Sequence, residues 1–355
     1  MSQDAPSGGS RRVTAADPFT NDDAFFDMMR SRMPERDQRI VARLEGVKSV
    51  YVECGRDKAL REAFDAFLRN FMARRGTGRD EAEIFFLTGE SGAGKSAAVE
   101  RLLANHPTLQ PFTGSFGTIT PFVSVKLKGF TLPRIAGRNI IAAAGYPIRQ
   151  DSQRGEIWDV MAARLKSRRV FLVHIDETQH LIKQNASQRE REELANAIKG
   201  VSIDREWPVA FLLSGLPRVA QLPINDEQFE RRGAAFVHFT DVTLPDERRL
   251  VTRILSKMGA EAQLDVSALL PTDLPERLAH AARYRYARIC QVVLAAIHSA
   301  LATDDEVKEL TILDFARAYA SRSHAFGRNE MNPFLVDHWR ALKPGSFLID
   351  EDDEA

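Results

Sequence analysis

The sequence predicts an α/β protein: a central parallel sheet flanked by helices, followed by a small helical domain. Three observations carry this. Short, almost unbroken apolar runs recur between segments of helical spacing. Strands buried on both faces of a parallel sheet read this way, whereas strands wetted on one face alternate. A glycine-rich turn joins the first run to a helix, and past Pro245 only helical patterns continue.

Residues 1 to about 20 have the polar composition of a disordered segment. From Asp22 to Val47 the residues Phe25, Phe26, Met28, Met29, Ile40, Val41 and Leu44 have roughly helical spacing, broken by Pro34. Asp57 to Ala73 reads as a core-facing helix, with Leu60, Phe64, Phe67, Leu68 and Phe71 on one face. The expected strands are Ile84–Leu87, Phe122–Leu127, Val170–Ile175, Val209–Leu213 and Phe236–Phe239. Between them lie the expected helices Lys95–Ala104, Leu132–Ala144, Ile157–Lys166 and Arg189–Lys199. Helical patterns then cover Asp246–Met258, Asp273–Ala282, Arg288–Ala300 and Thr311–Tyr319.

The 355 residues carry no formal net charge, so bulk electrostatics point to no partner. Five consecutive acids, Asp350 to Glu354, stand just before the last residue, Ala355, and the remainder is basic, 49 against 44. Such a tail reads as a solvated end or a docking segment. Cys54 and Cys290 are too few and too far apart for a disulfide framework or a zinc site. The start lacks a signal-peptide core, and no apolar run approaches the roughly 18 residues of a membrane span. A soluble cytoplasmic protein with no membrane partner is expected.

Gly89-Glu90-Ser91-Gly92-Ala93-Gly94-Lys95-Ser96 matches G-x-x-x-x-G-K-[ST] in full. Its glycines let successive N–H groups face phosphate oxygens, and the helix that opens at Lys95 adds its positive end. Lys95 is expected to reach the β- and γ-phosphates of ATP and Ser96 to bind Mg²⁺; the cradle runs on to Ala97. An apolar strand before and a helix after are the confirming context. About 80 residues on, Val170–Ile175 delivers Asp176 and Glu177 at its carboxyl end, where open α/β sheets bind ligands. Asp176 is expected to hold the metal and Glu177 to polarise the attacking water.

Weaker candidates surround these. Ser214 ends the fourth strand and reads as a γ-phosphate sensor or as part of a plain turn, Ser214–Pro217. Arg231 or Arg232 reads as a finger reaching a neighbouring subunit's ATP, or as a basic helix end. Arg288, with Arg285 one turn earlier, reads as a lid contact to ATP or as surface charge. Lys126, Lys128, Thr131, Arg134 and Arg138 offer a phosphate-contacting surface for DNA, or an ordinary solvated face. No sequence-reading DNA motif is present.

These residues together resemble an AAA+ P-loop NTPase with a helical lid. Finer stretches resemble the TniB/TnsC-type ATPases of bacterial transposons: Gly89–Pro107, Ile175–Ile182, Leu213–Pro217, Asn225–Gln228 with the arginine pair, and Asn332-Pro333-Phe334. The resemblance spans roughly residues 50 to 335. It implies a Mg²⁺-dependent ATPase that regulates transposition. Such a protein assembles with itself on double-stranded DNA as a ring or helical filament, hexamer-like per turn. It links a TniQ-like target-selection protein to the DDE transposase, and hydrolysis takes the assembly apart. Two departures stand out. Ser96 replaces a common Thr, and Ala282–Arg288 lacks the glycines often found before the lid arginine. Another AAA+ machine, such as a helicase loader or replication initiator, is the main alternative; a ligand-sensing NTPase without DNA is a third.

The resulting division is a flexible N-terminal arm over 1–45, an AAA+ α/β nucleotide-binding domain over 46–244, a helical lid over 245–325 and a tail over 326–355.

Overall fold

The computed structural model describes residues 21–75, 78–79, 82–114, 117–146, 156–182, 188–222, 235–322 and 328–345. Before the sheet come α1 (Asp22–Ser31), α2 (Glu35–Ser49) and α3 (Gly55–Met72). The Asn21 side chain caps α1 by accepting from Asp23 N and Ala24 N, and Pro34 separates α1 from α2. A hairpin of β1 (Arg74–Arg75) and β2 (Gly78–Arg79) leads to β3 (Ile84–Gly89) and α4 (Lys95–Asn105). A second hairpin, β4 (Phe112–Gly114) with β5 (Gly117–Ile119), precedes β6 (Phe122–Lys126) and α5 (Pro133–Ala143). Then follow α6 (Glu156–Asp159), α7 (Met161–Ser167), β7 (Leu172–Asp176), α8 (Gln188–Ser202), β8 (Ala210–Gly215) and β9 (Ala235–Phe239). The helices α9 (Arg248–Glu261), α10 (Leu274–Ala281), α11 (Tyr286–Thr303) and α12 (Ile312–Arg322) complete the order.

The fold class is the predicted one. Five strands form one parallel sheet in the order β6-β7-β8-β3-β9. Alternate residues of each strand feed two cores. Phe86, Val125, Val173, Ile175, Phe211 and Leu213 meet α5 to α8 on one face. Phe85, Leu87, Leu172, Leu212 and Phe239 meet α3 and α4 on the other. Phe64 and Phe67 both pack edge-on against Phe85 at 5.8 and 5.5 Å, so α3 is fixed to the sheet by aromatic contacts. Three strands run past their expected ends: β3 reaches Gly89, β7 reaches Asp176 and β8 reaches Gly215. The two hairpins were not anticipated, and the expected helix Ile157–Lys166 is broken into α6 and α7.

The chain divides into two compact units. One comprises Val52–Val251, Leu278–Cys290 and Lys343–Ala355, and holds the sheet. The other comprises Met1–Tyr51, Thr252–Arg277 and Gln291–Leu342. Within this second unit α2 is tied down rather than free. Arg43 donates to Ala262 O, and Arg36 and Arg39 pair with Asp305 at 3.3 and 2.7 Å. Asn332 and Phe334 are buried in the same unit. Asn332 Nδ2 donates to Ala316 O at 2.9 Å, and the Phe334 ring packs 5.5 Å from Phe315.

Helix α11 is, by length and composition, apolar enough to cross a membrane. Half of it is buried within the protein, through Ile289, Val293, Ala296, Ile297 and Leu301, so its apolarity serves a core.

Candidate nucleotide-binding site

The phosphate loop lies between β3 and α4. Gly92 and Gly94 stand at φ +80° and +93°, backbone that a side chain would strain. Lys95 is buried at the start of α4, and its ammonium donates to Gly89 O at 2.7 Å and Glu90 O at 3.0 Å. Burial pulls the Lys95 pKa down, while Glu177, Asp176 and Glu90 push it back up.

Asp176 ends β7 beside this loop and is 3% exposed. Ser96 donates to its Oδ2 at 2.7 Å and Ser214, fully buried on β8, donates to its Oδ1 at 2.7 Å. The Lys126 ammonium lies 3.8 Å from Oδ2. Burial alone would raise the Asp176 carboxyl; the Ser214 and Ser96 hydrogen bonds and the Lys126 charge outweigh it and hold the group below the usual carboxylate range. Among the described residues no three His, Cys, Asp or Glu side chains gather into a metal cage. Magnesium shared with phosphates needs only one or two protein oxygens. A serine hydroxyl and an ionised carboxylate held together fit that requirement.

Glu177 follows in the left-handed region, φ +56° and ψ +42°, and opens a 3₁₀ turn over Thr178–Leu181. The buried Gln179 amide donates to the Glu177 carboxylate, and its Oε1 accepts from Leu216 N at 3.1 Å. Gln179 thus ties Glu177 to the turn after β8. His174, in the middle of β7, is 1% exposed; its Nδ1 lies 2.8 Å from Ser124 Oγ and its Nε2 2.9 Å from Ser214 Oγ. Burial pushes its pKa down to about 4.

The start of α11 and the turn before it close over the loop. Ala287 N donates to Gly92 O at 2.9 Å, and Arg285 donates to Ser91 O at 2.9 Å. Arg288 lies against Gly92, while Tyr286 lies against Gly94 and donates to Val52 O. The missing glycines have a structural answer. Arg283 and Tyr284 take φ of +53° and +58°, so two ordinary residues adopt the left-handed turn that glycine adopts without cost.

Sequence reasoning thus placed Lys95, Ser96, Asp176, Glu177, Ser214 and Arg288 around one loop, and the structure brings them together. It missed Arg56 and Gln179. The Arg56 guanidinium lies 5.1 Å from the Phe239 ring centre and 4.5 Å from that of Tyr286, and donates to Ala93 O at 2.9 Å. An arginine early in an amphipathic helix gives no signal for that role.

The residues read as a DNA surface do not behave alike. Lys126 is drawn to Asp176. Thr131 is corrected outright: it is buried and its hydroxyl donates to Gly129 O, so it presents nothing to a phosphate. Lys128 is exposed, and Arg134 and Arg138 are half-buried on α5. Exposed Phe130, Leu132 and Ile135 interleave with these bases. Arg231 and Arg232, Asn225–Gln228 and the acidic tail lie outside the described residues.

Residues 75–222 match a family model described as an AAA domain, and that span runs from the first hairpin to the turn after β8. No curated protein matches the sequence. Among solved structures, Cdc6p from Pyrobaculum aerophilum is similar at 14% identity and TM-score 0.54, over 78% of this chain and 70% of that one. The Aeropyrum pernix ORC2 protein is similar at 15% identity and TM-score 0.54, over 79% and 72%. The Aeropyrum pernix ORC1 protein in complex with DNA is similar at 16% identity and TM-score 0.50, over 82% and 66%. At such identities the likeness is one of fold. The matched span contains the whole phosphate loop, Gly89–Ser96, together with Asp176 and Glu177.

Proposed function

We propose that this chain is a magnesium-dependent AAA+ ATPase that assembles on double-stranded DNA in its ATP state and regulates transposition. The convergence of Ser96 and Ser214 on Asp176, with Glu177 next in the chain, carries the enzymatic part. In this reading Lys95 leaves its loop carbonyls for the β- and γ-phosphates. Ser96 and Asp176 would hold Mg²⁺, which would supply positive charge against the phosphates. Glu177 orients a water and takes its proton. Arg288 and Arg285 clamp the nucleotide from the lid side. Arg231 or Arg232 acts in trans on a neighbouring subunit's ATP.

The transposition part rests on Ile175–Ile182, Leu213–Pro217 and Asn332–Phe334, which resemble the TniB/TnsC type. The partners in this reading are duplex DNA, further copies of the chain, a DDE transposase and a TniQ-like target selector, all in the cytoplasm. Lys128, Arg134 and Arg138 are the remaining candidates for phosphate contact, each weak alone and multiplied along an assembly. The fold shared with the Cdc6p and DNA-bound ORC1 structures supports a second reading, a replication initiator or helicase loader.

Negative-stain imaging with duplex DNA of unrelated sequence separates the two readings. Rings or filaments that form with ATP, persist in Glu177→Gln and are absent without nucleotide support the transposition regulator. ATP-dependent binding confined to one DNA site, without extended assembly, supports the initiator. Turnover of ATP with no DNA binding would sink both.

A further inference from the structure

The strand β7 contains one residue that its burial does not explain. Leu172, Val173 and Ile175 are apolar and fully buried, as a central parallel strand requires, yet His174 stands among them, also buried. An imidazole there must satisfy both nitrogens. It does so sideways, across the sheet: Ser124 on β6 at one nitrogen and Ser214 on β8 at the other.

The proton directions follow from the far end of the chain of contacts. Asp176 accepts at both oxygens, from Ser96 at Oδ2 and from Ser214 at Oδ1, each at 2.7 Å. Ser214 has one proton, and at 2.7 Å from Asp176 Oδ1 that proton must lie between the two oxygens. The Ser214 oxygen can therefore only accept from His174, which requires a proton on Nε2. The opposite tautomer, with the proton on Nδ1, would take the Ser214 proton for itself and leave two acceptors facing each other at Asp176. Each hydroxyl and ring proton then points the same way, from Ser124 through His174 and Ser214 to Asp176.

We infer that His174 is a positioning residue for the metal-holding carboxylate: its Nε2–H locks the Ser214 hydroxyl onto Asp176 Oδ1. This rests on the reading of Asp176 as the residue that holds Mg²⁺. With Ser214 locked, one oxygen of Asp176 is oriented from the sheet interior and the other stays beside Ser96. Without the lock, Ser214 rotates and Asp176 gains a second orientation. The cost falls on magnesium and not on the nucleotide, which Lys95 and the loop hold independently.

The test uses the full chain in two ways. In wild-type protein without nucleotide, ¹⁵N-labelled histidine is examined by NMR, the His174 signal being identified by its loss in His174→Gln. A neutral ring protonated at Nε2 is expected; a ring protonated at Nδ1 overturns the inference whether or not the protein hydrolyses ATP. His174→Leu and His174→Gln are then titrated with Mg²⁺ while binding of a fluorescent ATP analogue and turnover are followed. His174→Leu is expected to raise the half-saturating Mg²⁺ five- to tenfold with little change in metal-free nucleotide affinity. His174→Gln, which keeps an N–H donor at that end of the side chain, is expected to restore most of it. Ser214→Ala should match His174→Leu, and the double variant should lose no more than either alone. A wild-type Mg²⁺ response in a folded His174→Leu protein overturns the inference. Should that variant not fold, an impaired His174→Gln response equal to Ser214→Ala does so. Nucleotide binding in wild type that ignores Mg²⁺ refutes the underlying site reading instead.

Discussion

Arg288 lies across Gly92. A β-carbon on that glycine would come within 2.7 Å of Arg288 Cγ and 2.9 Å of its Nε. The glycine also stands at φ +80°, where a side chain is strained. Gly92→Ala is expected to displace Arg288 and bend the loop together. Nucleotide affinity should fall at least about tenfold, or about 1.4 kcal/mol. Titration with a fluorescent ATP analogue checks it, and unchanged affinity would show that the arginine and the loop act apart.

Lys95 and Glu177 separate binding from turnover. Lys95→Ala is expected to abolish nucleotide binding and assembly on DNA. Glu177→Gln is expected to bind normally and to hydrolyse about 10² to 10⁴ times more slowly, the usual worth of a general base. Rapid turnover by Glu177→Gln would remove the water-activating role.

Gln179 spans Glu177 and Leu216. Gln179→Ala leaves the Leu216 N–H without its acceptor, and an orphaned amide of this kind costs about 1–3 kcal/mol. It also releases the Glu177 carboxylate from its tether to the turn after β8 and frees it to meet a water. The variant is expected to melt lower and turn over ATP faster without DNA. A slower variant of unchanged melting temperature would contradict both halves.

The segment Asn332–Phe334 is part of a core. Phe334, 2% exposed, packs against Phe315 and Tyr319, so Phe334→Ala should cost about 3–5 kcal/mol in urea unfolding. A change below about 1 kcal/mol would mean that the segment is peripheral to stability.

Asp273 supplies a pH signature. Burial alone would raise its carboxyl, but hydrogen bonds from Arg277 and Trp339 outweigh that and hold it below the ordinary 3.8. A carboxyl depressed on folding stabilises the protein fully above the unfolded value, and that contribution is lost as pH falls through the lower folded one. Asp273→Asn should therefore melt below wild type at neutral pH, with the gap closing under about pH 3.8. A gap that stays constant through that window would assign the effect to packing.

The phosphate loop and Asp176–Glu177 were legible because glycine spacing and unbroken apolar strands are local signals. Strand ends were less so: Thr88–Gly89 and Ser214–Gly215 are polar or small yet paired in the sheet, because a parallel ladder continues by backbone alone. The hairpins have two or three residues per strand, too few to show a period. Thr131 was misassigned because its exposure depends on a turn back to Gly129 that no pattern encodes. Arg56 reaches the loop only through the stacking of α3 against β9 and Tyr286, a long-range event. His174 was visible as the one polar residue of the expected strand Val170–Ile175, but its role required the neighbouring strands.

Glu177 and Tyr284 both hold left-handed backbone, at +56° and +58°, that costs an ordinary residue about 1–2 kcal/mol and glycine almost nothing. Heat and catalysis therefore pull these positions differently. A randomised library selected only for survival at high temperature should drift toward glycine or asparagine at both. One selected for ATP turnover should recover glutamate at 177 and leave 284 to drift. The pair thus offers an internal control, within one molecule, for telling a strain kept for chemistry from a strain merely tolerated.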